Sequence, residues 1–179
     1  MLVATRNGST FELANDRSED QPVRSILSHT MMVVVTTRPT EFVDITVPLS
    51  EAVREAGLAD GLVVIHTRHT TTGLLINERE PLLMRDLEAL FESFAPCDAS
   101  YAHDDFSRRT VNLVPEERRN GHAHCRAALL RTSETISVVD GRLNLGRWQR
   151  VFLVEFDGAQ RREVAIMMTG RAVSEPGDS

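Results

Sequence analysis

Apolar positions along the chain alternate between a strand period and a helix period. Residues 32–37 (MVVVTT) and 41–45 (EFVDI) are rich in β-branched and aromatic side chains, which predicts two strands joined by a turn at Arg38 and Pro39. Thr46 then stands where an N-cap is needed, and Pro48 is tolerated in a first helical turn. Leu49, Ala52, Val53 and Ala56 follow at i, i+3, i+4 and i+7, and Gly57 sits where such a helix stops. Residues 62–66 read as a short apolar strand, and residues 70–76 as a β-branched one. A second helix is predicted from Pro81 to about residue 94, with Leu83, Leu87, Leu90, Phe91 and Phe94 as its buried stripe. Residues 135–139 and 142–145 flank Asp140 and Gly141, a strong signal for a type I′ hairpin. Residues 148–156 and 162–169 are long strands joined at Asp157 and Gly158, so the last third reads as a meander. Strands outnumber helices.

The two ends do not share this periodicity. Residues 1–29 are polar and aperiodic and are expected to form a poorly ordered leader. Residues 30–171 are expected to form one domain, with no linker to divide it, and residues 172–179 a frayed tail.

Composition changes the picture in one respect. All 20 basic residues are arginine, against 26 acidic ones, for a net charge of -6. Without lysine there is no Schiff-base lysine and no P-loop, whose ammonium meets the phosphates. An acidic chain with scattered arginine pairs is a poor nucleic-acid binder, since counterion release needs clustered positive charge. Cys97 and Cys125 lie far apart without a C-x-x-C, which fits a reducing compartment, and no apolar run is long enough for a membrane span. The expectation is a cytoplasmic protein with no nucleic-acid or membrane partner.

Candidate chemistry rests mainly on the six histidines. His66 and His69 are three apart, which on one strand means opposite faces. His122 and His124 lie in HAHCRAALL, a stretch of helical composition, where residues two apart diverge. One member of each pair is therefore expected to point away from a shared site. His69 opens a threonine-rich strand, His103 precedes two carboxylates in a polar loop, and His124 follows Asn120 and Gly121. Those three could ligate Zn²⁺ or another transition metal, or each could be an exposed or hydrogen-bonded imidazole. Asp104, Asp105 and Glu78 would orient such ligands or act as a general base. A hydroxyl nucleophile lacks its G-x-S-x-G elbow, and the adjacent Cys125 and His124 are poorly placed for a dyad.

The motifs HTTTGLLINE at 69–78, YAHD at 101–104, NGHAH at 120–124, DGRL at 140–143 and LGRWQ at 145–149 together resemble the YjbQ family, described as secondary thiamine-phosphate synthases. The likeness runs from about residue 32 to 170. It implies an α+β fold on an antiparallel β-sandwich of jelly-roll type with two to three helices, assembled as a homotrimer. It also implies that His69, His103 and His124 are the metal ligands. Arg126, Arg142, Asn120 and Gln149 match positions expected to bind substrate. Arg147 departs from the family's threonine, and would alter ligand preference or sit on the surface.

The activity implied is condensation of an aminopyrimidine diphosphate with a thiazole phosphate, releasing pyrophosphate. Arg126 and Arg142 would then meet the phosphates, while Asp104 and Glu78 would be the catalytic carboxylates. They would hold Mg²⁺, if diphosphate chemistry applies, or a protonated aminopyrimidine. A three-histidine set suits Zn²⁺ better than Mg²⁺. The alternative is a trimeric metal- or small-ligand-binding protein without turnover.

Overall fold

A computed structural model describes the backbone of residues 2–6 and 9–13 and the whole of residues 24–173. Strands β1 (Leu2–Arg6) and β2 (Ser9–Leu13) pair with each other, antiparallel. The other expectations for residues 1–23 and for the tail beyond residue 173 lie outside the described residues. The main body begins with β3 (Ser25–Val35). Residues 25–29, read from the sequence as the end of the leader, are the first half of this strand, held in register against Arg171–Met167.

The remaining elements are β4 (Glu41–Asp44), α1 (Thr46–Glu55), β5 (Leu58–Thr67), β6 (Thr72–Glu78) and α2 (Pro81–Phe94). A single 3-10 turn at Ala102–Asp104 follows, then α3 (Gly121–Ala127), β7 (Ser133–Val139), β8 (Arg142–Leu143), β9 (Gln149–Glu155) and β10 (Arg161–Ala172). One antiparallel sheet has the order β3-β10-β5-β7-β8, and a second has the order β4-β9-β6. The fold is the expected α+β class, two antiparallel sheets with three helices in one domain, apart from the separate β1–β2 pair.

Two of the expected neighbours are not neighbours. The turn at Arg38 and Pro39 does not close a hairpin, because β3 and β4 belong to different sheets. The Glu41 carboxylate accepts the backbone N–H groups of Thr37 (2.6 Å) and Arg38 (3.1 Å), which fixes the crossing instead. The last third is likewise no simple meander: β7 and β8 form the expected hairpin, but β9 and β10 separate into opposite sheets. The Asp140–Gly141 turn has positive φ at both residues, 48° and 74°, as type I′ requires.

Burial explains the division. Val34, Val63, Ile65, Ile136, Val138, Val164, Ile166 and Met168 on the inner face of the larger sheet meet Leu74, Val151 and Leu153 of the smaller one. Leu49 and Val53 of α1 close the end of this core. On the far side of the smaller sheet, Phe152, Val154 and Phe156 pack against Phe91 of α2 and Ala123 and Ala127 of α3. Strand β9 is thus covered on both faces, and its sequence is a continuous apolar run rather than an alternating one. Each such fully buried side chain contributes roughly 1.5–3 kcal/mol.

Local details depart from the sequence reading at two helices. Thr46 is not an N-cap: its hydroxyl accepts the Val151 N–H at 2.9 Å, docking α1 on β9. Of the stripe on α2 only Phe91 is buried, with Leu87 and Met84 partly buried beside it, whereas Leu90 and Phe94 are exposed. Its cap is Glu80, whose carboxylate accepts from Leu82 and Leu83. In the larger sheet Gly61 faces Gly170, and a Cβ on Gly61 would stand 2.2 Å from the Thr169 carbonyl oxygen. Only glycine fits that approach.

Candidate functional site

The residues singled out from the sequence fall at the two ends of β9. At the Glu155 end, the connection to β10 passes beside α3 and the 3-10 turn. Asp104, on that turn, accepts the N–H groups of Asn120 (3.0 Å) and Gly121 (2.9 Å) through one oxygen. It therefore caps α3, and this role replaces the one expected of it as a catalytic carboxylate. Capping draws the turn against the helix and brings His103 to His124, with ring centroids 4.6 Å apart in an edge-to-face arrangement.

Three features mark this pair. The Nε2 of His103 is buried without a hydrogen-bond partner, and so is the Oδ1 of the buried Asn120. The pKa of His124 lies below the ordinary histidine value, first because burial disfavours its charged form and next because His103 and Arg109 are near. The Asp157 charge and the Thr70 backbone oppose that shift. Arg109 Nη2 donates to the Asn112 carbonyl at 2.8 Å, while Nη1, 3.5 Å from Glu117, is a third buried polar atom without a hydrogen-bond partner. The Asn120 amide donates to Asp157 at 2.9 Å, tying α3 to the turn after β9.

That turn is held from beneath by groups the sequence did not flag. Glu155 is fully buried and forms a two-pronged ion pair with buried Arg162, at 2.5 and 2.6 Å. Its oxygens also accept from Thr36 and from the N–H groups of Phe156 and Asp157. A carboxylate inside an apolar run, with an arginine just past the following turn, was the available signal.

His69 does not join the pair. Its Nε2 accepts the Glu163 N–H at 2.8 Å, a donor left over where β5 ends and the ladder to β10 stops. Burial, then the Arg162 charge, lowers its pKa. Among the described residues, no group of three or more His, Cys, Asp or Glu side chains is placed to hold one metal ion. The three-histidine set is thus reduced to two. His66 and His122 also stand apart, one bonded to Ser133 on the exposed sheet face and the other beside the Tyr101 ring.

Arg126 is a structural residue, not a phosphate ligand. It is buried, and its guanidinium donates to the Ala95 carbonyl, Thr40 and Glu92. At the other end of β9 lie Gln149, which opposes Glu78, and the exposed Arg142, Arg147 and Trp148. Arg147 stacks on Trp148 at 4.6 Å from the ring centroid, so it is a surface residue. Gln149 closes its own loop by accepting the Gly146 N–H. At about 3.4 Å per residue, the seven residues of β9 set the two groups about 20 Å apart.

Residues 30–171 match the family model described as UPF0047 protein YjbQ-like. The chain belongs to the YjbQ-like UPF0047 family. A UPF0047 protein from Methanothermobacter thermautotrophicus is 34% identical over 136 residues, covering 76% of this chain and 87% of the relative. The UPF0047 protein YugU of Bacillus subtilis is 31% identical, covering 76% and 96%. A crystal structure from Sulfolobus solfataricus, a YbjQ-like protein of unknown function, superposes with a TM-score of 0.72 at 29% identity, covering 82% and 99%. The UPF0047 family is thus shown, but no activity comes with it. These relatives bear only the family's name or the words unknown function, which overturns the thiamine-phosphate synthase expectation and leaves its non-catalytic alternative without support. The geometry agrees, since Arg126 is occupied and Arg142 lies at the opposite end of β9 from it. Mg²⁺, expected only with diphosphate chemistry, loses its motive too. As for membranes, no helix among the described residues is long and apolar enough to cross one.

Proposed function

We propose that the His103–His124 pair is the donor half of a transition-metal centre, zinc by donor type, at which a small polar molecule reacts. The observation that carries this is the buried His103 Nε2, without a partner, edge-to-face against the His124 ring, whose pKa burial lowers. Neutral imidazole is the form a metal requires. A buried ring nitrogen with no hydrogen bond is a cost that a metal ion would remove. Two donors from one chain leave further positions for substrate and for groups from outside this set, as catalytic sites do and closed structural sites do not.

When bound, zinc supplies Lewis acidity, and hydrolysis is the reaction class that needs least beyond it. The protein's own residues do the rest. Asp104 caps α3 and so holds the two histidines together, and the Asn120 amide ties α3 to Asp157 on the turn after β9. Assembly as a homotrimer belongs to this reading. It is supported by the exposed Leu27, Val33, Val35 and Met167 on the outer face of the larger sheet.

Calorimetric titration of chelator-treated protein with Zn²⁺ tests the centre. Alanine at His103 or at His124 is expected to weaken binding at least tenfold, with the fold intact by circular dichroism. Unchanged zinc affinity in both variants would end this reading. A panel of small esters, amides and phosphoesters, followed with and without Zn²⁺, then tests the reaction class.

A further inference from the structure

Residues 105–119 run from the 3-10 turn to α3 as one loop, and its two ends are pinned together. Asp104, just before it, accepts the N–H groups of Asn120 and Gly121, just after it. The loop is also braced from within. Arg109 donates to the carbonyls of Val111 (3.3 Å) and Asn112 (2.8 Å) and lies 3.5 Å from Glu117, whose carboxylate accepts the Val114 N–H at 3.2 Å. A loop closed at its base and held by its own side chains is a compact unit of the Ω type.

Little fastens this unit to the body. None of its side chains belongs to either apolar core. Beyond its base, and among the described residues, only Arg118 makes a hydrogen bond or ion pair outside the loop. It donates to the Gly158 carbonyl at 3.1 Å and lies 3.4 Å from Asp157, on the turn after β9. The polarity of the loop is inverted as well. Val111, Leu113 and Val114 are exposed, while the Arg109 and Glu117 side chains are only 15% and 14% exposed, the reverse of an ordinary surface loop. Three polar atoms of the loop and its base, His103 Nε2, Arg109 Nη1 and Asn120 Oδ1, are buried without a hydrogen-bond partner. Burial of such groups is unfavourable, and uncovering them to water relieves it. The Arg109 charge is also near enough to His124 to lower that ring's pKa, which places the loop against the pair.

We infer that residues 105–119 are a lid over the His103–His124 pair, that Arg118 is its latch on the Asp157–Gly158 turn, and that a ligand reaches His103 Nε2 only when the lid lifts. The Asp104–Asn120 base stays in place as the hinge. Segments with few buried apolar contacts open at the lowest free energy, and lids of this kind admit a ligand and then exclude water around it. This rests on the site proposed above and names how that site is entered, but the motion itself is tested without metal.

With Cys97→Ser and Cys125→Ser removing the native thiols, spin labels are attached at Val114→Cys on the lid and Leu129→Cys beyond α3, both exposed positions. Pulsed electron resonance of the metal-free protein then measures their separation. One distance is expected with Arg118 present, and a second, longer one when Arg118→Ala is added. Arg119→Ala removes the same charge one residue on, where no hydrogen bond or ion pair is made among the described residues, and should leave the distance unchanged. In stopped flow without labels, Arg118→Ala should take up Zn²⁺ about fivefold faster than the wild type, and Arg119→Ala at the wild-type rate. A distance that does not respond to Arg118→Ala overturns the lid, as does an equal response to Arg119→Ala. Equal zinc uptake rates in Arg118→Ala and the wild type overturn it as the way in. The expected distances together with zinc that binds neither protein would overturn the metal centre and leave the lid.

Discussion

The Glu155 end of β9 is tied down and the Gln149 end is not. At the first, a buried carboxylate meets a buried arginine, a hydroxyl and two backbone donors, and the turn above it passes this order on to Asn120, α3 and the histidine pair. At the second, arginines and a tryptophan stand in water with one stacking contact among them. The difference teaches that the site is positioned by a hidden ion pair rather than by the motif residues themselves. The exposed motif residues are free to serve an external partner.

The comparison breaks most visibly at its buried centre. Glu155→Ala leaves Arg162 charged and unpaired inside the protein and is expected to cost about 3–5 kcal/mol, read as a lowered midpoint in urea. Arg142→Ala at the exposed end should stay within about 0.5 kcal/mol in the same assay. Equal effects would erase the contrast. A smaller change is expected for Asp104→Ala, about 1 kcal/mol from the lost helix cap, and it should weaken zinc binding by loosening His103 from His124. Glu78→Ala, beside Gln149, should alter neither, and a loss of zinc binding in that variant would restore Glu78 to the site.

The smallest effect is that of pH. His69, His122 and His124 all have pKa values lowered from 6.5, in each case first by burial. The folded chain thus binds these protons less well than the unfolded chain does. Their contribution to stability is complete above 6.5 and is lost as pH falls through the folded values. A melting temperature that declines on acidification below pH 6.5 is expected, more steeply with zinc than without it, because protons also displace the metal from its histidines. A profile that is flat there, or that rises, contradicts the neutral form assigned to His124.

Much of the fold was legible because it is written in local periods. Helices α1 and α2, the Asp140–Gly141 turn and most strands follow from spacing and turn chemistry. Which sheet a strand joins was not, since a turn such as that at Arg38 and Pro39 looks the same whether it closes a hairpin or crosses between layers. The run VFLVEF signals burial on both faces, but that was read only as a long strand. For the site, residue type and order identified His103 and His124, while their partners depended on three-dimensional facts. Arg126 resembles any surface arginine until Ala95, Thr40 and Glu92 surround it. Asp104 resembles a catalytic acid until it meets the start of α3. His69 resembles a ligand until the ladder of β10 claims its nitrogen.

Strand order has a consequence for the chain during its synthesis. The strand that joins β3 to β5 is β10, and the strand that joins β4 to β6 is β9. Both sheets receive these joining strands last. Until they emerge, β3, β4 and β6 lack their ladder partners, and of the main-body strands only β5, β7 and β8 can pair with one another. Assembly must therefore wait for the final residues and then close contacts such as that between Arg161 and Val35, far apart in the chain. A ribosome-bound chain ending before β9 should remain open to protease, and release of the complete chain should convert it to the resistant form in a single step.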